Sequence, residues 1–496
     1  MNRQILLVEP AYRSKYPPLG LMKIAQYHKL QGDHVEFIKG LSVKKRDKFI
    51  WDRIYVASLF TYNWSHTIKA LKYYKNSVRQ PISKNLIVGG VMATLMSQDI
   101  KDAIGCRVVS GLLDKKGKLG YEDDDCIDTL VPDYDILKES NYKYPVSNAY
   151  VVYATRGCKR KCKFCAVPII EPKFKHYVPI ASQIQEIDRK YDPKRDLILL
   201  DNNVLASEHF EKIIEEIKSA GFAKGAFFAY KGKLGQEIRV RRRVDFNQGV
   251  DIRRLSSDKM ALLSQIAIDP LRLAFDNIKV KNIYEKKIRL AVKFGIRRLS
   301  NYILFNYKDT PEDLYERLRL NIQLNQELDL QIFSFPMRYV SLKSKDRLTD
   351  TVSNIGRNWN RKYLRAIRCI LIPTRGVVGT HMDYFEAAFG KDLEEFHKIL
   401  LMPESYIINR LTHNSDGSTE LWWNQLDALN SAERYEVLNR VLHTDLRRAN
   451  LSGLSKSVAS VLNHYVEIPE SQLSLDYLGN VPAQVTSSNT LTTVKF

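Results

Sequence analysis

No run of this 496-residue sequence is long and apolar enough for a membrane-spanning helix. The first residues, Met1 to Glu9, already read as a strand and carry no signal-peptide cleavage region. Cysteine is scarce: there are six, and three of them are clustered, which excludes a secreted disulfide framework. No internal repeat is visible. Acid is also in short supply. Lys and Arg number 77 against 56 Asp and Glu, a formal net charge of +21. An excess of that size suits a phosphate-rich partner such as RNA or DNA, although a solvated Lys-rich surface accounts for it equally well. With 44% hydrophobic and 27% charged residues, the chain is of ordinary globular composition and long enough for two or three domains. A cytoplasmic location is expected.

What the sequence does have is a run from Tyr153 to Pro168 containing Cys158, Cys162 and Cys165 in the spacing C-x-x-x-C-x-x-C. It follows directly on the strand-like stretch Ala149–Ala154. Three thiolates on one tight loop can hold three irons of a cubane cluster and leave the fourth iron open. Gly157 removes a side chain where the backbone must approach closely. Arg156, Lys159, Arg160, Lys161 and Lys163 make the loop positive, a setting that favours thiolates. A zinc knuckle is the alternative. It needs a fourth Cys or His at short spacing, and His176 is the only near candidate. Cys106, Cys126 and Cys369 are scattered and do not form a second set.

The cysteine run resembles the cluster loop of the radical S-adenosylmethionine (radical SAM) enzymes. The resemblance implies a 4Fe–4S cluster held by Cys158, Cys162 and Cys165, with SAM chelated at the open iron and cleaved reductively to a 5′-deoxyadenosyl radical. It implies a reductant such as flavodoxin or ferredoxin, and places Phe164 near the adenine. It also implies a fold: an open six-stranded (β/α)6 barrel of TIM type over residues 149–346. Strand candidates recur in that range at Tyr150–Ala154, Leu197–Leu200, Val244–Phe246, Leu271–Phe275, Leu299–Phe305 and Ile332–Pro336, joined mostly by helix-length segments. A capped helix start at Thr310-Pro-Glu-Asp313 follows the fifth strand.

Barrels of this kind put reacting residues at the carboxyl ends of strands. On that logic Asp201, then Asn202, is expected to accept from the methionine amino group. Gln248, Asp251 and Arg253 are expected to bind the methionine carboxylate and the ribose hydroxyls. Asn301 and Arg338 are further SAM-contact candidates, with Asp276, Asn277 and Ser300 beside them. Each has a plainer reading as a helix cap, a turn or an internal Asp–Arg pair.

Residues 1–120 alternate short strands and helices, the pattern of an α/β, Rossmann-like parallel sheet. This stretch resembles the cobalamin-binding-type domain that precedes the barrel in one radical SAM subgroup. The matching features are Pro17-Pro-Leu-Gly20, Ser58 and Gly89-Gly90. No Asp-x-His-x-x-Gly occurs, so the usual cobalt-ligating histidine is missing. The resemblance admits cobalamin as a cofactor; the missing motif disfavours it, as do Tyr12, Arg13, Lys15 and Tyr16 in the loop where a corrin would lie.

Residues 121–148 read as an acidic linker, 347–482 as a mostly helical C-terminal domain, and 483–496 as a frayed tail. Between Lys224 and Arg243, basic residues alternate with Phe227, Phe228 and Tyr230, as phosphate contacts and base stacking would need, or as a solvated hairpin would allow. The function expected is a radical SAM enzyme acting on an unidentified substrate. The alternatives are an RNA- or DNA-modifying enzyme of that class, a cobalamin-dependent methyltransferase, and a non-enzymatic Fe–S nucleic-acid binder.

Overall fold

The computed structural model describes residues 2–120, 126–342 and 354–466. The chain divides between Val244 and Asp245 into two compact units. The acidic run 121–125, the expected boundary at 346/347 and the tail 483–496 lie outside the described residues.

The first unit opens with five strands: β1 (Gln4–Glu9), β2 (His34–Lys39), β3 (Arg53–Ser58), β4 (Leu86–Gly90) and β5 (Arg107–Val109). They form one parallel sheet in the order β2-β1-β3-β4-β5. Parallel sheets need cover on both faces, which is why β1 is an unbroken apolar run. Ile5, Leu6, Leu7 and Val8 are all fully buried. Leu71 and Tyr74 of the helix Trp64–Tyr74 close one face of the core over Leu6, Val8, Ile54, Val56 and Val88. Gly32 follows the helix Leu19–Leu30 in the left-handed region (φ +75°) and ends it.

The segment read as a linker is folded rather than free. Ile127, Tyr134 and Ile136 are buried, and Asp133 meets Lys29 at 2.6 Å and the Tyr191 hydroxyl at 3.1 Å. After it come the parallel pair β6 (Ala149–Val152) and β7 (Asp196–Leu199), in register from Ala149↔Asp196 to Val152↔Leu199. The helices Ile180–Asp188 and Phe210–Ile217 flank them. An antiparallel hairpin, β8 (Phe227–Lys231) and β9 (Glu237–Arg241), leads to β10 (Val244–Phe246), at which the second unit starts.

The second unit carries a parallel sheet in the order β11-β12-β13: Leu271–Ala274, Arg298–Phe305 and Gln331–Arg338. All six strands expected of the barrel therefore form, and they are distributed over the two units. The helix Pro311–Leu328 begins on the expected cap, where Thr310 and Asp313 exchange side-chain-to-backbone bonds. Arg317 of this helix is fully buried and locks the strand ends. It donates to the carbonyls of Phe275 (2.9 Å) and Leu304 (2.8 Å) and pairs with Asp309 at 2.7 Å.

The described residues that follow are mostly helical, as expected, and include the helices Met382–Phe389 and Leu393–Leu401. They are split at Gly390 (φ +89°), where a Cβ would stand 2.8 Å from the Phe396 backbone nitrogen. The helix Arg361–Leu371, which sequence periodicity did not single out, buries Leu364, Ile367, Ile370 and Leu371 beneath them.

Candidate functional site

β6 is buried along its whole length, and the chain leaves its carboxyl end through Tyr153, Ala154 and Thr155, all buried. The backbone there is held by Asp201, which follows β7. Asp201 accepts from the Ala154 amide (3.1 Å), the Thr155 amide (2.5 Å) and the Thr155 hydroxyl (2.6 Å), and is completely buried. Burial pushes its carboxyl up to about 6, outweighing those bonds and the nearby Arg156.

One residue on, Arg156 and Lys175 exchange backbone hydrogen bonds of 3.1 and 2.9 Å. They tie off residues 157–174 as a closed loop, and the three clustered cysteines lie on it. Gly157 sits inside the neck with φ +71°. A Cβ there would stand 2.4 Å from the Lys173 carbonyl oxygen, so only glycine fits. Its amide donates to Glu171 Oε2 at 2.5 Å, which also receives Asn202 Nδ2 at 3.1 Å. Arg156 pairs with Glu171 at 3.2 Å, reaches Asp128 at 3.8 Å and stacks on Tyr153, 4.0 Å from the ring centre. Behind this ring Lys23 donates to the Tyr153 hydroxyl (2.8 Å), which donates to Asp128 (2.5 Å). Burial brings Lys23 down to about 8 despite Asp128. The polar groups behind the neck thus pair with one another, Arg156 Nε excepted, which is how charge is kept in a buried position.

On the loop, Cys158, Cys162 and Cys165 form no disulfide, and each is half-buried. Cys158 Sγ accepts from the Arg160 amide and from Asn203 Nδ2, both at 3.3 Å. The Cys165 amide donates to the Cys162 carbonyl at 3.1 Å, setting the C-x-x-C turn. Among the described residues no group of three His, Cys, Asp or Glu side chains converges to hold a single metal ion. A mononuclear zinc knuckle needs that convergence. A cubane asks for less, because each thiolate binds its own iron and the sulfurs stand well apart. The loop fits a cluster on three counts: half-exposed thiols, amide donors aimed at one of the sulfurs, and a glycine at the close approach.

Of the residues expected to contact SAM, Phe164, Asp201 and Asn202 lie in the first unit with the cysteines. Phe164 is half-buried between Cys162 and Cys165. Asp201 has its oxygens turned to the root of the loop, and Asn202 reaches Glu171. The others lie in the second unit. Gln248 is exposed in the turn after β10. Asp251 caps the turn Ile252–Arg254 through the Arg253 amide and meets the Arg253 guanidinium at 3.5 Å, the internal pair that was the plainer reading. Asn301 is mid-strand in β12 and fully buried; its amide donates to the Tyr284 hydroxyl at 2.7 Å, which donates to Asn321 at 2.8 Å. Arg338 is the last residue of β13. Ser300 accepts from Arg272 at 3.0 Å, and Asn277 caps the turn Ile278–Val280. Glu171, Asn203, Lys23 and Asp128 were not foreseen. Asn203 stands beside two candidates in sequence, but nothing local marks Glu171, Lys23 or Asp128.

The carboxyl end of the first sheet is where an open parallel sheet takes a ligand. Here it is filled by side chains. Lys39 Nζ lies 3.0 Å from Glu9 and 5.1, 4.4 and 5.4 Å from the ring centres of Tyr12, Tyr142 and Tyr144. The Tyr144 hydroxyl donates to Glu9. Ser58 is also occupied: its hydroxyl donates to the Gly89 carbonyl and accepts from the Ala93 amide, both at 2.9 Å. At Gly90 a Cβ would collide with the Ser58 carbonyl at 2.0 Å, so this glycine serves strand packing. Ser58, Gly89 and Gly90, by which the domain resembles a cobalamin-binding one, are engaged with each other, and the side chains of Glu9, Lys39, Tyr12, Tyr142 and Tyr144 at the sheet end do not fit a corrin.

No protein-family model matches the chain, and no curated protein matches its sequence. Among solved structures it is similar to TsrM from Kitasatospora setae, a radical S-adenosylmethionine methyltransferase. With cobalamin and a 4Fe–4S cluster bound, TsrM shows 12% identity over 68% of this chain and 75% of that one, TM-score 0.46. With tryptophan and a SAM analogue bound, the values are 12%, 68% and 73%, TM-score 0.48. It is also similar to OxsB, a cobalamin-dependent S-adenosylmethionine radical enzyme, with 12% identity over 93% of this chain and 74% of that one, TM-score 0.44. No helix among the described residues is long and apolar enough to cross a membrane.

Proposed function

We propose that the chain is a radical SAM enzyme that modifies a substrate by radical chemistry at a 4Fe–4S cluster held by Cys158, Cys162 and Cys165. The observation that carries this reading is the closed loop: three half-buried cysteines outside any disulfide, at C-x-x-x-C-x-x-C, tied off at the carboxyl end of a buried parallel strand. When bound, the cluster supplies the electron that cleaves SAM and an open iron on which the methionine part is chelated.

The chain's own part is positional. Asp201 fixes the exit of β6 by three hydrogen bonds, and Gly157 lets the neck close against Lys173. Asn203 and the Arg160 amide donate to Cys158 Sγ, which withdraws charge from that sulfur and raises the reduction potential of whatever it ligates. Because Asp201 is turned to the backbone, Asn202, half-buried beside Glu171, is the better acceptor for the methionine amino group. Phe164 is assigned to the adenine, and Gln248, Asp251, Arg253, Asn301 and Arg338 remain candidate SAM contacts. No step of this chemistry runs through cobalamin.

Anaerobic reconstitution with iron and sulfide tests the proposal. Close to four irons should bind each chain, and addition of dithionite and SAM should yield 5′-deoxyadenosine. Cys158→Ala, Cys162→Ala and Cys165→Ala should each abolish the product. Full SAM cleavage in any one of them refutes the assignment. Iron bound with no SAM turnover under any reductant would favour a structural cluster instead.

A further inference from the structure

The basic, aromatic stretch between Lys224 and Arg243 takes no part in the cluster loop, and its structure gives it a job of its own. It holds seven Lys or Arg against one acid, Glu237. It folds as the hairpin β8/β9, with Phe227 opposite Arg241 and Tyr230 opposite Ile238. Side chains directly opposite one another share a face of a hairpin, so the two faces differ. One carries Phe228, Tyr230, Ile238 and Val240. The rings of Phe228 and Tyr230 stack on it at 6.2 Å and 26°, with the Arg242 guanidinium 5.4 Å from the Phe228 centre. The other carries Phe227, Lys231, Glu237, Arg239 and Arg241, with Glu237 opposite Lys231 and Arg239 5.3 Å from the Phe227 centre. Large rings are left in solvent: Phe227 is 47% exposed and Tyr230 45%.

The hairpin is rooted at the amino end of the β6/β7 pair. Arg242 lies 4.5 Å from the ring centre of Phe222, which meets Tyr150 at the start of β6, and the Leu197 amide at the start of β7 donates to the Arg243 carbonyl at 2.8 Å. The cysteine loop leaves from the carboxyl end of the same pair. The two features are at opposite ends of the strands, so a ligand on the hairpin is held away from the thiols.

We propose that this hairpin is a docking surface for single-stranded RNA. The hairpin sets exposed Phe227 among Lys231, Arg239 and Arg241 on one face and exposed Tyr230 on the other, so each face offers a ring for base stacking and the cations offer phosphate neutralisation, the two needs of single-strand binding. An acidic protein would satisfy the charge and leave the rings without a planar partner. Duplex nucleic acid hides its base faces, and the unstacked bases that aromatic side chains take are found mainly in RNA.

The test is fluorescence anisotropy of the whole chain with a labelled single-stranded RNA of mixed A and U, about 15 nucleotides long. Binding should weaken with salt. Phe227→Ala with Tyr230→Ala should weaken it by about tenfold or more. Arg239→Gln with Arg241→Gln should flatten the slope of log affinity against log salt by about 1.4. Because these residues are exposed, the variants should keep the wild-type circular dichroism and melting temperature, and their SAM cleavage should be unaltered. That last readout separates this proposal from the preceding one. Unchanged affinity in the aromatic variant would overturn it. So would equal binding of polyglutamate, or of DNA or duplex RNA of the same sequence. Loss of SAM cleavage in the hairpin variants would overturn the separation of the two ends.

Discussion

Asp201 offers the sharpest test of how the cysteine loop is held. Its carboxyl titrates at about 6 against an ordinary 3.8, with burial the largest cause. That interval is worth about 3 kcal/mol between the protonated and ionised folded states. A raised carboxyl pKa means that the folded state holds its proton longer than the unfolded chain does. The contribution to stability is therefore fully present below about pH 4, is lost as the pH rises to about 6, and is constant above about pH 7. Asp201→Asn keeps an oxygen for the Thr155 amide and hydroxyl, loses one bond to Ala154, and cannot ionise. Urea unfolding of wild type and variant, run in parallel on the cluster-free chain from pH 4 to pH 8, isolates the effect, because other titrating groups cancel in the difference. Wild type should lose about 3 kcal/mol relative to Asp201→Asn across this range, at no more than about 1.4 kcal/mol per pH unit. A difference that is flat, or that grows in favour of wild type with pH, would refute the reasoning. It would mean that the three donors outweigh burial and that the carboxylate is an ordinary stabilising acceptor.

Three further outcomes are expected. Gly157→Ala forces a Cβ to 2.4 Å from the Lys173 carbonyl, so the neck must open; iron bound after reconstitution should fall by more than half, on the order of the one to three kcal/mol of such strain, with the circular dichroism of the chain unchanged. Arg156→Met should cost about 2 kcal/mol in urea unfolding by removing the cation beside Glu171 and Asp128, and a second change, Glu171→Gln, should recover part of it; additive losses would show that the pair does not interact. Purification from cobalamin-fed cells should give no stoichiometric corrinoid absorbance, because Lys39 and Tyr12, Tyr142 and Tyr144 occupy the carboxyl end of the first sheet; a full corrinoid band would show that these side chains fold aside, and would turn the proposed reaction towards methyl transfer.

Much of this molecule was written locally. Unbroken apolar runs such as Ile5–Val8 leave a chain little choice but a doubly covered parallel strand, and helix caps such as Gly32 and Thr310 act within a turn of themselves. The six barrel strands read from sequence all form, because period and propensity are properties of neighbouring residues. The short β5 escaped, and so did the helix Arg361–Leu371. The cysteine spacing was equally local, and it announced the candidate cluster before any fold was known. What tertiary structure alone decided is how that loop is held and what the polar strand ends do. Asp201 is 46 residues from Thr155, Glu171 is 31 from Asn202, and Lys23 is 130 from Tyr153. Asn301 looked like a pocket residue, and its amide nitrogen is taken by Tyr284 inside the second unit. A buried polar group takes whichever partner the packing brings within 3 Å, and no sequence pattern records that distance.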